Sequence, residues 1–302
     1  MGFRFWKVHG TENDFPLLDT ATSGDIPTWT GTDVAPWFVR EICDRRAGVG
    51  GDGLLIVERD RAGGRMIMYN PDGSRAEMCG NGLRCVAKHV AEMRGDRPAF
   101  VIIETDAGPK SCRLIWEGGV VTAVEVDMGA PVLDRASIPV AGSGSNRDIA
   151  IDVGARSFRA TCVSMGNPHA VIVVDEPPMP LAETFGSRVE THPLFPKRIN
   201  VEFVRPVGAN RFETAVWERG AGITRACGTG ASATGVALCL EGRAKLGETL
   251  VVALPGGDLS ITVLPDLTNV RMRGAAVVVY EGEANPSMIQ RFHETEGGPH
   301  RP

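Results

Sequence analysis

Two cysteines stand in near-copies of one short motif, about half a chain apart. One is Met78-Cys79-Gly80-Asn81-Gly82 and the other is Ala226-Cys227-Gly228-Thr229-Gly230. Each is followed by residues that read as a helix, Leu83 to Met93 and Ala231 to Leu240. A cysteine at a helix start meets N–H groups with no partner inside the helix and the positive end of its dipole. That setting draws a thiol pKa from about 8.5 toward neutrality and makes a seat for a carboxylate. Two such seats facing one another would hold an amino-acid carboxylate between two thiols, which is the layout a two-base racemase or epimerase needs. A glycine after each sulfur lets a ligand come close to the backbone. There is no CxxC and no HExxH, so no metal site is expected.

Five other polar clusters sit at the ends of apolar runs. Lys7 to Phe15 ends a strand in a polar turn that contains Asn13. Tyr69 to Ser74 is a turn by composition, and its place just before Cys79 raises Asn70 as a substrate contact. Ser164 to His169 crowds Asn167 and His169 into one strand junction, where functional loops tend to lie. Arg198 to Phe203 offers Asn200 at a strand edge. Trp217 to Gly222 leads into Cys227, and its Glu218-Arg219 pair reads as an acid–base helper beside a carboxylate clamp, since an Arg fork binds carboxylates bidentately. The glycine-rich stretch Gly48 to Gly53 precedes a strand and does not open a helix, so it fails as a dinucleotide fingerprint and reads as a turn.

The elements that must position these residues are short and mostly β. Strand character appears at Phe3–Val8, Gly53–Glu58, Arg65–Tyr69, Phe100–Thr105, Cys112–Trp116, Val120–Val126, Asp148–Val153, Ser157–Ser164, Ala170–Val174, Ile199–Arg205, Glu213–Glu218, Thr249–Ala253, Leu259–Val263 and Val277–Tyr280. Helices are expected at Asp33–Arg45, after each cysteine, and at Leu181–His192. The order repeats, which implies a duplicated α+β unit: each half a sheet wrapped around the helix that follows its cysteine. The run Ala231 to Leu238 carries no charge, so that helix should be enclosed. The expected domains are 1–121 with 273–284, and 122–272. The polar tail 285–302 is expected to be mobile.

The chain has 302 residues, which suits two domains. Its net charge of −5, with no long basic run, gives no nucleic-acid surface. No apolar run is long enough for a membrane span. Strand-like sequence begins by Phe3, which leaves no room for a targeting peptide. Seven cysteines, an odd number without a secretion signal, imply reduced thiols in the cytoplasm. A homodimer is one allowed assembly.

The chain resembles the diaminopimelate epimerase family from Phe3 to about Glu283. Seven stretches carry the resemblance in family order: KVHGTENDF, GVGGDGLL, NPDGSRAEMCGNGLRC, SMGNPH, FPKRINVEF, WERGAGITRACGTGASA and LPGGDLSI. The resemblance implies two similar domains, each a barrel-like, mostly antiparallel sheet around a central helix, with the last strand returning to the first domain. It implies a cofactor-independent enzyme of lysine and peptidoglycan precursor biosynthesis that interconverts LL- and meso-2,6-diaminopimelate, with Cys79 and Cys227 as the two bases. Asn13, Asn70, Asn167, Asn200 and Arg219 would hold the distal end of this amino-acid substrate. Gly80, Asn81, Gly228 and Thr229 would bind the reacting carboxylate through backbone N–H groups, and His169 and Glu218 would assist the thiols.

The chain departs from the family pattern at Glu12, where Gly is usual, and at Pro16, Arg46, Gly53 and Ile223. Two alternatives stay open beside this reading. One is a cofactor-independent racemase of another amino acid on the same scaffold. The other is a thiol redox protein that joins Cys79 and Cys227 reversibly, which the lack of a CxxC disfavours.

Overall fold

Residues that alternate between buried and exposed, as Phe100 to Glu104 do, lie on strands. The computed structural model describes residues 2–31, 33–60, 63–154 and 156–285. Apart from Asn285, the expected mobile tail lies outside the described residues. Two compact units are formed, Met1–Val124 with Ala275–Pro302, and Glu125–Gly274.

The first unit contains β1 (Phe3–Gly10), β2 (Asn13–Asp19), α1 (Pro36–Cys43), β3 (Leu54–Arg59), β4 (Gly63–Tyr69), β5 (Arg75–Ala76), α2 (Gly80–Arg94), β6 (Phe100–Glu104) and β7 (Lys110–Glu117). Then β8 (Val120–Asp127) leads into the second unit. There follow β9 (Ile149–Asp152), β10 (Ser157–Ser164), β11 (Pro168–Val173), α3 (Pro178–Glu190), β12 (Asn200–Gly208), β13 (Arg211–Glu218) and β14 (Gly222–Thr224). The unit continues with α4 (Gly228–Leu240), β15 (Thr249–Leu254), β16 (Gly257–Val263) and β17 (Val270–Ala275). The last strand, β18 (Val277–Ala284), belongs to the first unit.

Hydrogen bonding runs β18-β1-β2-β3-β4-β6-β7 in the first unit, with β2–β3 and β4–β6 parallel and the other pairs antiparallel. In the second it runs β9-β10-β11-β12-β13-β15-β16-β17, with β11–β12 and β13–β15 parallel. The short β5 and β14 pair with the ends of β4 and β13. The two orders are the same topology written twice, an α+β duplication with mostly antiparallel sheets.

In each unit the sheet surrounds one helix. α2 packs on β1, β2, β3, β4, β6 and β7, and α4 packs on β10, β11, β12, β15 and β16. Every residue of α2 from Gly80 to Ala91 is buried. That includes four polar side chains, each with a partner, the first being Asn81, which donates to Asn13. Arg84 donates to Thr11, Lys88 to Glu92 and the Val121 carbonyl, and His89 lies 2.8 Å from Asp19. The enclosed α4 needs no such partners, since its buried face is Ala, Val, Leu, Gly and small hydroxyls.

α1 starts at Pro36 rather than Asp33, because a proline at the first helical position fixes where the helix can begin. The post-cysteine helices start on the glycines, at Gly80 and Gly228, since the first turn tolerates residues of poor helix propensity. Strands β2, β5, β14 and β17 were not anticipated. β2 contains Pro16 and begins Asn-Asp, and β17 places Arg271 and Arg273 on its exposed face.

The β1–β2 turn is tighter than a polar loop. Gly10 pairs with Asn13, and the two residues between them, Thr11 and Glu12, have φ of 54° and 59°. This is a two-residue turn with both central residues left-handed, which favours glycine. Glu12 is exposed, its backbone N–H donates to His9, and the turn holds it in the left-handed conformation. Replacement Glu12→Gly is expected to stabilise the protein by about 0.5–1 kcal/mol by removing left-handed strain. The measurement is the urea midpoint, which should rise with an unchanged slope.

Candidate active site

The two cysteines occupy the same backbone position in their units. Cys79 caps α2 with φ −139° and ψ 121°, and Cys227 caps α4 with φ −129° and ψ 110°. Their carbonyls accept the first helical hydrogen bonds, from Leu83 at 2.8 Å and Ala231 at 2.9 Å. The first turn of each helix therefore offers N–H groups that the helix itself cannot pair, directly beside a sulfur.

In the first unit the half-buried Cys79 thiol lies 3.6 Å from Asn13 Oδ1. Asn81 Nδ2 donates to the same oxygen at 3.1 Å. Asn13 is held in that orientation from behind, because its Nδ2 donates to Asp52 Oδ2 at 2.8 Å. Asp52 in turn accepts from the Asp14 backbone N–H and from Arg45. Arg45 also grips Asp14, and Lys7 pairs with Asp14. Gly10 closes the arrangement: a side chain there would come within 2.9 Å of Arg84 Nη2 and the Asn81 carbonyl. Beneath lies Arg84, fully buried, with Nη1 on the Gly80 carbonyl at 3.3 Å and Nη2 on Thr11 Oγ1 at 2.8 Å. Its burial pulls the guanidinium pKa down. Asn70 sits in the turn after β4, where its Nδ2 donates to Ser74 Oγ at 3.0 Å.

In the second unit Cys227 is buried and its sulfur accepts from the Gly230 backbone N–H at 3.3 Å, with Thr229 Oγ1 at 3.4 Å. His169, at the start of β11, lies between Glu202 Oε1 (2.7 Å from Nδ1) and Asn167 Oδ1 (2.9 Å from Nε2). Glu218 accepts from Thr224 Oγ1 at 2.5 Å. Asn200 is largely spent inside the fold. Its Nδ2 donates to the Pro168 carbonyl and its Oδ1 accepts the Arg219 backbone N–H, which locks the β13–β14 turn onto β11 and β12. Glu190 of α3 holds the same turn by accepting from Trp217 Nε1 and the Gly220 N–H. The Arg219 side chain is exposed and donates Nη1 to the Lys197 carbonyl at 3.3 Å.

The structure thus joins Asn13, Cys79, Gly80 and Asn81 in one unit. In the other it joins Asn167, His169, Asn200, Glu218, Arg219, Cys227, Gly228 and Thr229. The expectation that a helix start lowers the thiol pKa is reversed at Cys227. Burial pushes that thiol well up, and the charges of Glu218 and Glu202 push the same way, outweighing the hydrogen bonds from Thr229 and Gly230. Burial also raises the Glu218 carboxyl, opposed by Thr224 and His169. Asp52, Arg84 and Glu202 were missed. Asp52 hid inside a glycine turn and Arg84 in a helix that also carries Lys88, Glu92 and Arg94, whereas Glu202 left a signal: a lone acid in the apolar start of its strand. Among the described residues, no group of three or more His, Cys, Asp or Glu is placed to hold a metal ion. No helix among them is long and apolar enough to cross a membrane.

Comparison with known proteins bears on what this arrangement does. The family model described as diaminopimelate epimerase matches residues 5–133 and 161–285. A protein of Moorella thermoacetica named diaminopimelate epimerase is 46% identical over 284 residues, covering 92% of this chain and 98% of its own. One of Acetivibrio thermocellus with the same name is 42% identical over 287 residues, covering 93% and 98%. Among solved structures, a hydroxyproline epimerase from Agrobacterium vitis with bound trans-4-hydroxy-L-proline superposes with a TM-score of 0.63 at 17% identity, covering 94% of this chain and 91% of that one. At that identity the likeness speaks to the fold.

The ion network behind Asn13 has a pH signature. Burial alone would raise the Asp14 carboxyl, but Arg45 and Lys7 hold it below its ordinary value of 3.8. On acidification the unfolded chain takes up this proton first. The stabilisation is therefore complete above about 3.8 and is lost as pH falls through the lower folded value. Urea midpoints at pH 5 and pH 3 should show a larger acid loss in the wild type than in Asp14→Asn, which lacks the titrating group.

Proposed function

The chain belongs to the diaminopimelate epimerase family, and on that premise we propose that it interconverts LL- and meso-2,6-diaminopimelate by proton exchange between Cys79 and Cys227 at one α-carbon. The observation that carries the reading is the pair of cysteines capping the enclosed helix of each unit with nearly the same backbone angles. A free amino-acid α-proton is weakly acidic, so the protein must supply electrostatics and position. In this reading the N–H groups of Gly80, Asn81, Gly228 and Thr229 bind the reacting carboxylate and take up the charge that moves onto it. One cysteine, as thiolate, removes the α-proton. The other, as thiol, delivers its proton to the opposite face. The centre inverts and the two sulfurs exchange roles. Water must be excluded while this happens, since fixed dipoles act more strongly in a dry site.

Discrimination between isomers requires that the second, unreacting amino-acid centre be read as well. We assign that task to Asn70, Asn167, Asn200 and Arg219. Asn200 keeps one of its two amide hydrogens for it, the other being given to Pro168. Polar groups of this kind reject a mismatched ligand, because groups that the bound substrate desolvates would be left without partners. His169 and Glu218 stand beside Cys227 as its proton-handling neighbours. Asn13 is better placed as a partner of the Cys79 thiol than as a distal contact, given its 3.6 Å approach to the sulfur. The cellular role that follows is a cytoplasmic step of lysine and peptidoglycan precursor synthesis.

The test is to incubate the reduced protein with LL-diaminopimelate in D₂O. Meso isomer carrying deuterium at the inverted carbon, resolved by chiral chromatography, supports the reading. Wash-in with proline or histidine and none with diaminopimelate would instead favour a racemase of another amino acid, and no wash-in at all would remove both.

Cys79→Ala and Cys227→Ala are each expected to abolish epimerisation with the fold intact by circular dichroism. Near-wild-type turnover in either variant would sink the two-base mechanism. Arg219→Ala should lower kcat/KM by roughly 30- to several-thousand-fold, equivalent to about 2–5 kcal/mol for loss of one partner of a desolvated charge pair. Arg219→Lys should recover only part, because a point charge does not replace a bidentate fork.

A further inference from the structure

Glu202 is the one acidic side chain on the apolar part of β12, and it is completely buried. Its Oε1 lies 2.7 Å from His169 Nδ1. Its Oε2 has no hydrogen-bond partner. A carboxylate is costly to bury in this way, so a structural role alone would favour an apolar residue at this site. The surrounding chain makes room for it. A side chain at Gly230 would come within 2.6 Å of Glu202 Oε1, so the glycine of the Cys-Gly-Thr-Gly loop admits the carboxylate against the first turn of α4.

We propose that Glu202 is a positioning residue for this site: its carboxylate fixes the His169 ring and, together with Glu218, keeps Cys227 in the thiol form, so that Cys227 is the proton-bearing member of the pair in the resting protein. This rests on the epimerase reading above. Two carboxylates, a thiol and one imidazole share a buried site. If Cys227 ionised as well, three negative groups would face at most one positive ring. Withholding ionisation from the sulfur avoids that. The remaining charged groups on the elements around α4 do not change the balance. On β16, Asp258 is paired with Arg211. On β10, the buried Cys162 is a thiol pushed up to about 12 by burial, and Arg159 of that strand is exposed and paired with Asp148. Arg225, before the loop, is exposed and donates to the Pro255 carbonyl. Glu241, at the far end of α4, accepts from Thr161. The other half-site has the opposite character, because the charged group buried under Cys79 is the cation Arg84. After Cys227 gives its proton to the substrate carbon, the thiolate left beside two carboxylates is strongly basic and suited to the reverse abstraction.

The thiolate absorbance at 240 nm tests this without substrate. The difference between Cys79→Ala and Cys79→Ala/Cys227→Ala reports Cys227 alone. Adding Glu202→Gln to both proteins is expected to move the Cys227 ionisation to lower pH by about one unit, roughly a tenfold gain in thiolate at fixed pH below the midpoint. An unmoved midpoint would overturn the proposal. Glu202→Asp, in the otherwise unaltered chain, keeps the charge but withdraws the oxygen from His169. It should lower kcat with KM little changed, and an unaltered kcat would overturn the positioning role even if Glu202→Gln does not fold. The titration is read without turnover, so its failure is distinguishable from failure of the epimerase assay.

Discussion

Burying the first turn of a helix leaves N–H groups that no residue of that helix can satisfy, and both units of this protein do so at a cysteine. An unsatisfied buried donor costs about 1–3 kcal/mol. At Cys227 the sulfur itself takes one of these N–H groups, that of Gly230 at 3.3 Å. The glycines of both motifs keep side chains away from those N–H groups. The chemistry follows from a packing decision taken at the level of topology.

Duplication supplies two such ends, and divergence gives them different surroundings. Cys79 has an amide oxygen, Asn13 Oδ1, as its neighbour and a buried guanidinium beneath. Cys227 has two carboxylates, an imidazole and a hydrogen bond from Gly230. The hairpins show the same pattern. Asn13 starts β2 just after the first hairpin turn of unit one, and Asn167 lies in the corresponding turn before β11. One backbone plan thus delivers an asparagine, a cysteine and a helix start twice, with the buried charges reversed in sign.

Much of this could be read from the chain itself. Most strands and all four helices were legible, because β-branched runs between glycines and an uncharged helix such as Ala231–Leu238 leave few other options. The two cysteines and their polar company were legible as repeated words. The misses share a cause. β2 and β17 are strands whose identity depends on their neighbours: Pro16 lies where β2 faces β1, and Arg271 and Arg273 point outward from an alternation that only a paired sheet makes sense of. Asp52, Arg84 and Glu202 act through partners far away in sequence, and no local pattern announces that Asp52 will meet Asn13. The raised thiol at Cys227 was hidden for the same reason, since its cause is burial and two acids on other strands.

The placement of β18 bears on how the chain is made. This strand pairs with β1, made well before it, along seven residue pairs from Phe3 with Ala284 to His9 with Val277. The second unit is continuous from Glu125 to Gly274, whereas the first cannot complete its sheet until the second unit has been synthesised. The usual order, in which an N-terminal domain folds first during translation, is therefore inverted. During synthesis the outer edge of β1 stays open, with the apolar Phe3, Phe5 and Val8 on that strand waiting for a partner encoded after the whole of the second unit.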